Sequence, residues 1–287
     1  MTVQDEKDQM VIIGSDVTSL YPSLDKVTSA AIARHEVQRS KVDIQDVNYE
    51  AALVYLLLQG GTAYLNRAGL QSRIPRWKGK RADLLKITGD SAHEMQKWSF
   101  SLKPLTQVEK KVIVSMVIEC AVITVMSNHV YTFAGKHYIQ TNGGPIGLNS
   151  TASLTSVIMC RWDRMWIRLL NKLSIKCALY YRYVDDCRSF LRAIREGWRV
   201  TEDSFMWKHE WQMEDLKSDQ TPTERTKNIL TQLMNKVLTN LVFTGETVDM
   251  FQSAKLPTLD TDLWIEEGRV RYQFFEKPTC STPGFEH

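Results

Sequence analysis

Asp185 and Asp186 stand side by side in an otherwise apolar stretch, and this is the strongest constraint the sequence places on its fold. Two strand-like runs within residues 178–190 flank them, so the segment predicts a β-hairpin with both carboxylates at its tip. A second apolar run, Met10 to Ile13, ends at Gly14-Ser15-Asp16 and reads as a buried strand delivering a third aspartate. Adjacent carboxylates among apolar neighbours repel each other and resist burial. A divalent cation removes both costs, and Mg²⁺ suits a site of a few carboxylates plus substrate phosphates. A pair of such ions, roughly 4 Å apart, activates an attacking hydroxyl and stabilises the leaving oxygens of an in-line displacement. An Asp-Asp pair taken alone is more often a solvated turn. The apolar flanks and the strand-end Asp16 turn the reading towards metal.

The rest of the chain predicts an α+β fold, an antiparallel sheet with helices on one face. Helical patterns cover Val27–Val42, Tyr49–Leu58 (stopped at Gly60-Gly61), Thr106–Met126, about Ser150–Leu173 and Thr223–Leu241. Hairpins are expected around Ala134-Gly135-Lys136 and Glu267-Gly268. Residues 60–104 read as an irregular basic insert and 192–222 as a polar insert bearing Trp198, Trp207 and Trp211. With 43% hydrophobic and 24% charged residues in 287, the composition is that of a folded globular protein rather than a disordered one. The longest apolar segment, Val112 to Met126, is interrupted by Ser115 and Glu119 and predicts a buried helix, not a membrane span. The polar N-terminus is no signal peptide, so an intracellular place, nuclear or cytoplasmic and not secreted, is expected. Five cysteines without a CxxC pair argue against a disulfide framework or a zinc site. A net charge of +3 permits nucleic-acid binding without arguing for it.

Three strings, in order, resemble polymerase motifs. SDVTSLYPSL around Asp16 is similar to motif A, an aspartate followed five residues later by an aromatic. HYIQTNGGPIGLNSTASL resembles motif B, with Gln140, Gly143 and Gly147 matching Gln-x-x-Gly-x-x-x-Gly. YRYVDDC resembles the Tyr-x-Asp-Asp box of reverse transcriptases. With VYTFAGKHYIQ before motif B and LPTLDTDLWIEEGRVRYQFFEKPT near the end, the order resembles the reverse transcriptases of Penelope-like retroelements over about residues 10–27, 106–191 and 223–287.

That resemblance implies a polymerase palm, with 10–27, 131–191 and 223–287 as its core, 28–130 helical with part of the fingers, and no clear thumb. The whole chain would be a single domain and a fragment of a polyprotein, which would carry the missing fingers, thumb or endonuclease parts, or else a truncated gene or a degenerate copy. The implied reaction is transfer of deoxynucleotides to a primer on an RNA/DNA template with two Mg²⁺ or Mn²⁺ ions. Asp16 and Asp185 would be the principal metal ligands, with Asp186 close by and the carbonyl of Val17 joining them. Tyr21 would be the steric gate against a ribose 2′-hydroxyl, or else core packing beside Leu20 and Leu24. Gln140 and the Gly143-Gly144 turn would touch the template base and incoming nucleotide, or form an ordinary strand-to-helix turn. Lys277 would be a general acid near pyrophosphate, or a solvated strand-end lysine.

Arg73, Arg76, Lys78, Lys80 and Arg81 surround Trp77, a pattern that fits a phosphate backbone and a stacked base and equally a solvated basic loop. Arg161 and Arg164 face either template or solvent. Two other readings stay open. SLYPS also resembles family B DNA polymerases, and viral RNA-dependent RNA polymerases share the palm, although YVDD and Tyr21 oppose both. A non-catalytic domesticated module that binds nucleic acid or protein is the alternative from another class.

Overall fold

The computed structural model describes residues 9–41, 44, 46–80, 95–145, 147–198 and 220–274. Along the chain run β1 (Met10–Val17), α1 (Lys26–Arg39), α2 (Tyr49–Arg67), β2 (Arg76–Trp77), β3 (Trp98–Ser99) and α3 (Gln107–Ser127). Then follow β4 (Val130–Phe133), β5 (Lys136–Ile139), α4 (Asn149–Lys172), β6 (Cys177–Tyr183) and β7 (Asp186–Arg192). The last elements are α5 (Pro222–Val237), β8 (Phe243–Thr247), β9 (Leu256–Thr258), β10 (Thr261–Glu266) and β11 (Arg269–Phe274). Among the described residues all strand pairs are antiparallel, so the class is α+β as expected. The chain divides into two compact units, 1–23 with 159–287 and 24–158.

In the first unit a four-stranded sheet has the order β6-β7-β1-β8. The first half of β1, Met10 to Ile13, is apolar on both faces, as its unbroken run requires. Val11, Ile13 and Val17 join a core with Trp162, Trp166 and Leu170 of α4 and Ile229, Leu233 and Met234 of α5. Ile12 joins a smaller cluster with Phe190, Leu256 and Leu263 on the other face. Trp162 stacks on Phe243 with centroids 4.5 Å apart, a pairing worth about 1 kcal/mol beyond the area it buries. α5 starts at a capping box, Thr221 with Glu224, and its apolar stripe falls at helical spacing. The Asn235 side chain then clamps β8, accepting from the Phe243 N–H at 2.5 Å and donating to its carbonyl at 3.2 Å. A second sheet, β11-β10-β9, belongs to the same unit.

In the second unit Leu53, Leu56 and Leu65 of α2 pack with Ile113 and Met116 of α3. α1 is tied to α3 through Arg34 and Glu119 at 2.8 Å and through Gln38 and Ser115 at 3.0 Å. As the sequence led us to expect, the helix that starts at Tyr49 is interrupted at Gly60-Gly61. Gly61 takes φ 66° and ψ −174°, outside the helical region, and a second helical segment, which the sequence did not suggest, then runs to Arg67 and carries Leu65 into the core.

One detail of the carboxylate hairpin differs from expectation. Tyr183 pairs with Asp186, so the two-residue turn is Val184-Asp185. Asp185 alone sits at the tip, and Asp186 is the first residue of β7. The turn needs a left-handed residue, and Val184 supplies it at φ 57°, an unfavourable conformation for a β-branched side chain. Among the described residues no helix is long and apolar enough to cross a membrane.

Candidate functional site

Residues paired across neighbouring strands share a face, and side chains alternate along each strand. Asp16 lies directly opposite Asp186 on one side and Thr244 on the other. One row further along, Gly14 lies between Arg188 and Glu246, and the next row holds Ile12 beside Phe190. These side chains occupy the face opposite the α4 and α5 core. Aspartates from two distant parts of the sequence thus meet at one end of the two central strands. Asp185 joins them from the turn, where its carbonyl accepts from the Val17 N–H at 3.3 Å.

The electrostatics show what this proximity costs. Burial raises the Asp16 carboxyl above its ordinary range and the Asp185 charge raises it further, while Arg188 and the Val17 N–H pull it back. Asp186 is also raised, first by burial, with Arg188 opposing and Asp16 and Glu246 adding to the rise. Arg188 is the cation of this face. Its side chain is buried, pairs with the Asp186 carboxylate, and donates to Thr258 Oγ1 at 2.7 Å and the Pro257 carbonyl at 2.7 Å. Asp186 is therefore committed to a charge partner within the sheet. The Asp185 charge adds to the rise at Asp16, a like-charge cost that an added cation relieves.

Those carboxylates fit a hard divalent ion. Two carboxylates, with the remaining positions filled by water and phosphate oxygens, match the usual Mg²⁺ donor set. Among the described residues no group of three or more His, Cys, Asp or Glu side chains is placed to hold a metal ion, so Asp16, Asp185 and Asp186 do not form a ready three-carboxylate set. Val17, the other expected ligand, ends β1 beside Asp16.

Of the other expected site residues, Tyr21 is half-buried in the turn that follows β1, where the Ser23 N–H donates to the Ser19 carbonyl at 3.0 Å. Gln140, Gly143 and Gly144 belong to the second unit. Gln140 Nε2 donates to the Asn142 carbonyl at 3.0 Å, and Gly143 takes φ 76°, which favours glycine. Lys277 and Arg81 lie outside the described residues. Arg76, Lys78 and Lys80 are exposed around Trp77, whose indole N–H donates to the Lys80 carbonyl at 3.1 Å and whose ring meets the edge of Trp98. Arg73 differs from them. It is buried, and all its donors go to Glu109, Ser101 and the Lys103 and Pro104 carbonyls, leaving none for a phosphate. Arg161 and Arg164 lie on α4.

Sequence reasoning missed Arg188 and Glu246. An arginine two residues after Asp186 shares its face of a strand, and that period-two spacing was the available signal. Glu246 lies on β8, whose polar Phe-Thr-Gly-Glu-Thr run carried no strand signature. No protein-family model matches the chain, and no curated protein matches it.

Proposed function

We propose that the chain is the palm of a reverse transcriptase, an RNA-directed DNA polymerase of Penelope-like retroelement type. The observation that carries this reading is the direct pairing of Asp16 with Asp186 across β1 and β7, with Asp185 on the adjoining turn. The Asp-x-x-x-x-Tyr string and the Tyr-x-Asp-Asp box are far apart in sequence, and their acidic residues converge as nucleotidyl transfer needs.

Asp16 and Asp185 would hold Mg²⁺ or Mn²⁺, with Asp186 kept beside them by Arg188. When bound, two such ions supply the charge that favours attack by a primer 3′-hydroxyl and departure of pyrophosphate. The protein contributes position. The end of β1 and the β6-β7 turn would hold two carboxylates before substrate arrives, so little reorganisation would be left for the reaction itself. Tyr21, five residues after Asp16, would exclude a ribose 2′-hydroxyl and select deoxynucleotides. The partners are an RNA/DNA template-primer and a dNTP.

Primer extension on an RNA template, with Mg²⁺ or Mn²⁺ and either dNTPs or rNTPs, tests the proposal. Extension with dNTPs that Asp16→Asn and Asp185→Asn each reduce about a thousandfold supports it. Preferential use of rNTPs points instead to an RNA polymerase palm. Nucleic-acid binding that survives Asp185→Asn, with no extension by the wild type, points to a non-catalytic module.

A further inference from the structure

Asp185 sits on a turn whose backbone is unfavourable for its own sequence, so something must hold that turn. Val184 is left-handed at φ 57°, and a β-branched residue there relaxes if nothing restrains it. The restraint is visible beneath the turn. Arg182 Nη1 donates to the Val184 carbonyl at 2.7 Å. The other side of the same guanidinium is fixed on Asp163 of α4, Nε to Oδ1 at 3.0 Å and Nη2 to Oδ2 at 2.8 Å. Asp163 is itself fixed, accepting from the Tyr180 hydroxyl at 2.7 Å. The Arg182 and Asp163 side chains are only 13% and 19% exposed, so water competes weakly for these bonds. The next carbonyl, that of Asp185, accepts from the Val17 N–H at 3.3 Å and from Cys187 Sγ at 3.7 Å. Cys187 stays a thiol, its pKa pushed up to about 12, first by burial.

We infer that Arg182, locked by Asp163, is a positioning residue that holds the Val184 carbonyl and thereby aims the Asp185 carboxylate at Asp16. The three contacts of Arg182 need a planar fork. A lysine ammonium in its place cannot span a carboxylate and a turn carbonyl in the same way. The inference rests on the proposed role of Asp185 only for its consequence at the metal, and its structural half stands apart from that role.

The test compares wild type, Arg182→Lys, Asp163→Asn and the double variant Arg182→Lys/Val184→Gly, with Tyr180→Phe as the mildest lesion. Amide hydrogen exchange at Val17 reports the turn directly, because that N–H is held by the Asp185 carbonyl. The amides of Val11 to Ile13, deeper in β1, report the sheet. Arg182→Lys is expected to speed exchange at Val17 about tenfold and weaken Mn²⁺ binding about 10- to 100-fold, leaving Val11 to Ile13 unchanged. Val184→Gly removes the backbone conflict and is expected to restore much of both losses. Tyr180→Phe is expected to act in the same sense and more weakly. Wild-type exchange at Val17 in both Arg182→Lys and Asp163→Asn overturns the inference. So does a loss spread over all of β1, or one that Val184→Gly fails to relieve. If wild-type protein binds no Mn²⁺, the metal reading fails, and exchange at Val17 alone still decides whether Arg182 holds the turn.

Discussion

Arg188 lies over Gly14: a Cβ built on Gly14 falls 3.2 Å from Arg188 Nη1 and 3.3 Å from Leu256 Cδ2. The glycine is there for space, since the head of the buried Arg188, on the same face, lies against β1 at this point. Arg188 cannot move aside cheaply, because its guanidinium is bonded to Asp186, Thr258 and the Cys187 and Pro257 carbonyls. Gly14→Ala is expected to destabilise the protein by about 1–3 kcal/mol through overpacking. Denaturant unfolding measures the loss. The same substitution made in an Arg188→Ala background should cost clearly less, because the crowded partner is gone.

The ion pair between Arg73 and Glu109 predicts an acid-sensitive element in the second unit. Glu109 closes the capping box of α3 with Thr106 and accepts from Arg73 Nε at 2.6 Å. Arg73, foremost, and the Thr106 N–H lower its pKa from 4.5 to about 2. A carboxyl depressed on folding contributes stability that is fully present above its unfolded value, and the contribution is lost as pH falls through the folded one. Stability should therefore fall between about pH 4.5 and pH 2. Arg73→Met should remove most of this pH dependence and lower stability at neutral pH, as thermal unfolding at pH 6, 4 and 2 will show.

Nucleic-acid binding by the exposed residues around Trp77 would be largely electrostatic. Neutralised phosphates release counterions, and for single strands the salt slope changes by about 0.7 per contact. Replacing Arg76, Lys78 and Lys80 together by alanine should flatten the plot of log affinity against log salt by about 2 for a single-stranded oligonucleotide. Arg73→Ala should instead act through stability and leave the slope of the folded fraction unchanged. An unaltered slope in the triple variant would remove the patch from the binding surface.

Much of this architecture was legible before the structure because local chemistry and tertiary context agree. The capping boxes at Thr106 and Thr221 announce α3 and α5, and left-handed-tolerant turns mark the β4-β5 and β10-β11 hairpins. The apolar run into Asp16 announces a strand buried on both faces. Where reading failed, a tertiary demand overrode a local preference. Gly60-Gly61 does interrupt α2, but the helical segment after it, whose Leu65 packs in the core, lies in a stretch that read as irregular. Val184 is a poor left-handed residue, so sequence alone centred the turn on the two aspartates and placed both at the tip. β8 is polar because one side of it borders the carboxylate face, and its place is fixed by non-local pairing with β1, which has no local signature, while Asn235 ties it to α5. The site shows the same division: Asp16 and Asp185 were readable from their flanks, whereas Arg188 becomes meaningful only once its strand face is known.

The most direct test of the account is Mn²⁺ binding, followed by its paramagnetic resonance signal, in wild-type protein and in Asp16→Asn, Asp185→Asn and Asp186→Asn. The account predicts that wild type binds, that the first two substitutions each weaken binding about 100-fold, and that Asp186→Asn, whose carboxylate is already paired with Arg188, weakens it less than tenfold. Equal losses at Asp185 and Asp186, or undiminished binding in Asp16→Asn, would contradict the assignment of Asp16 and Asp185 as the metal-holding pair.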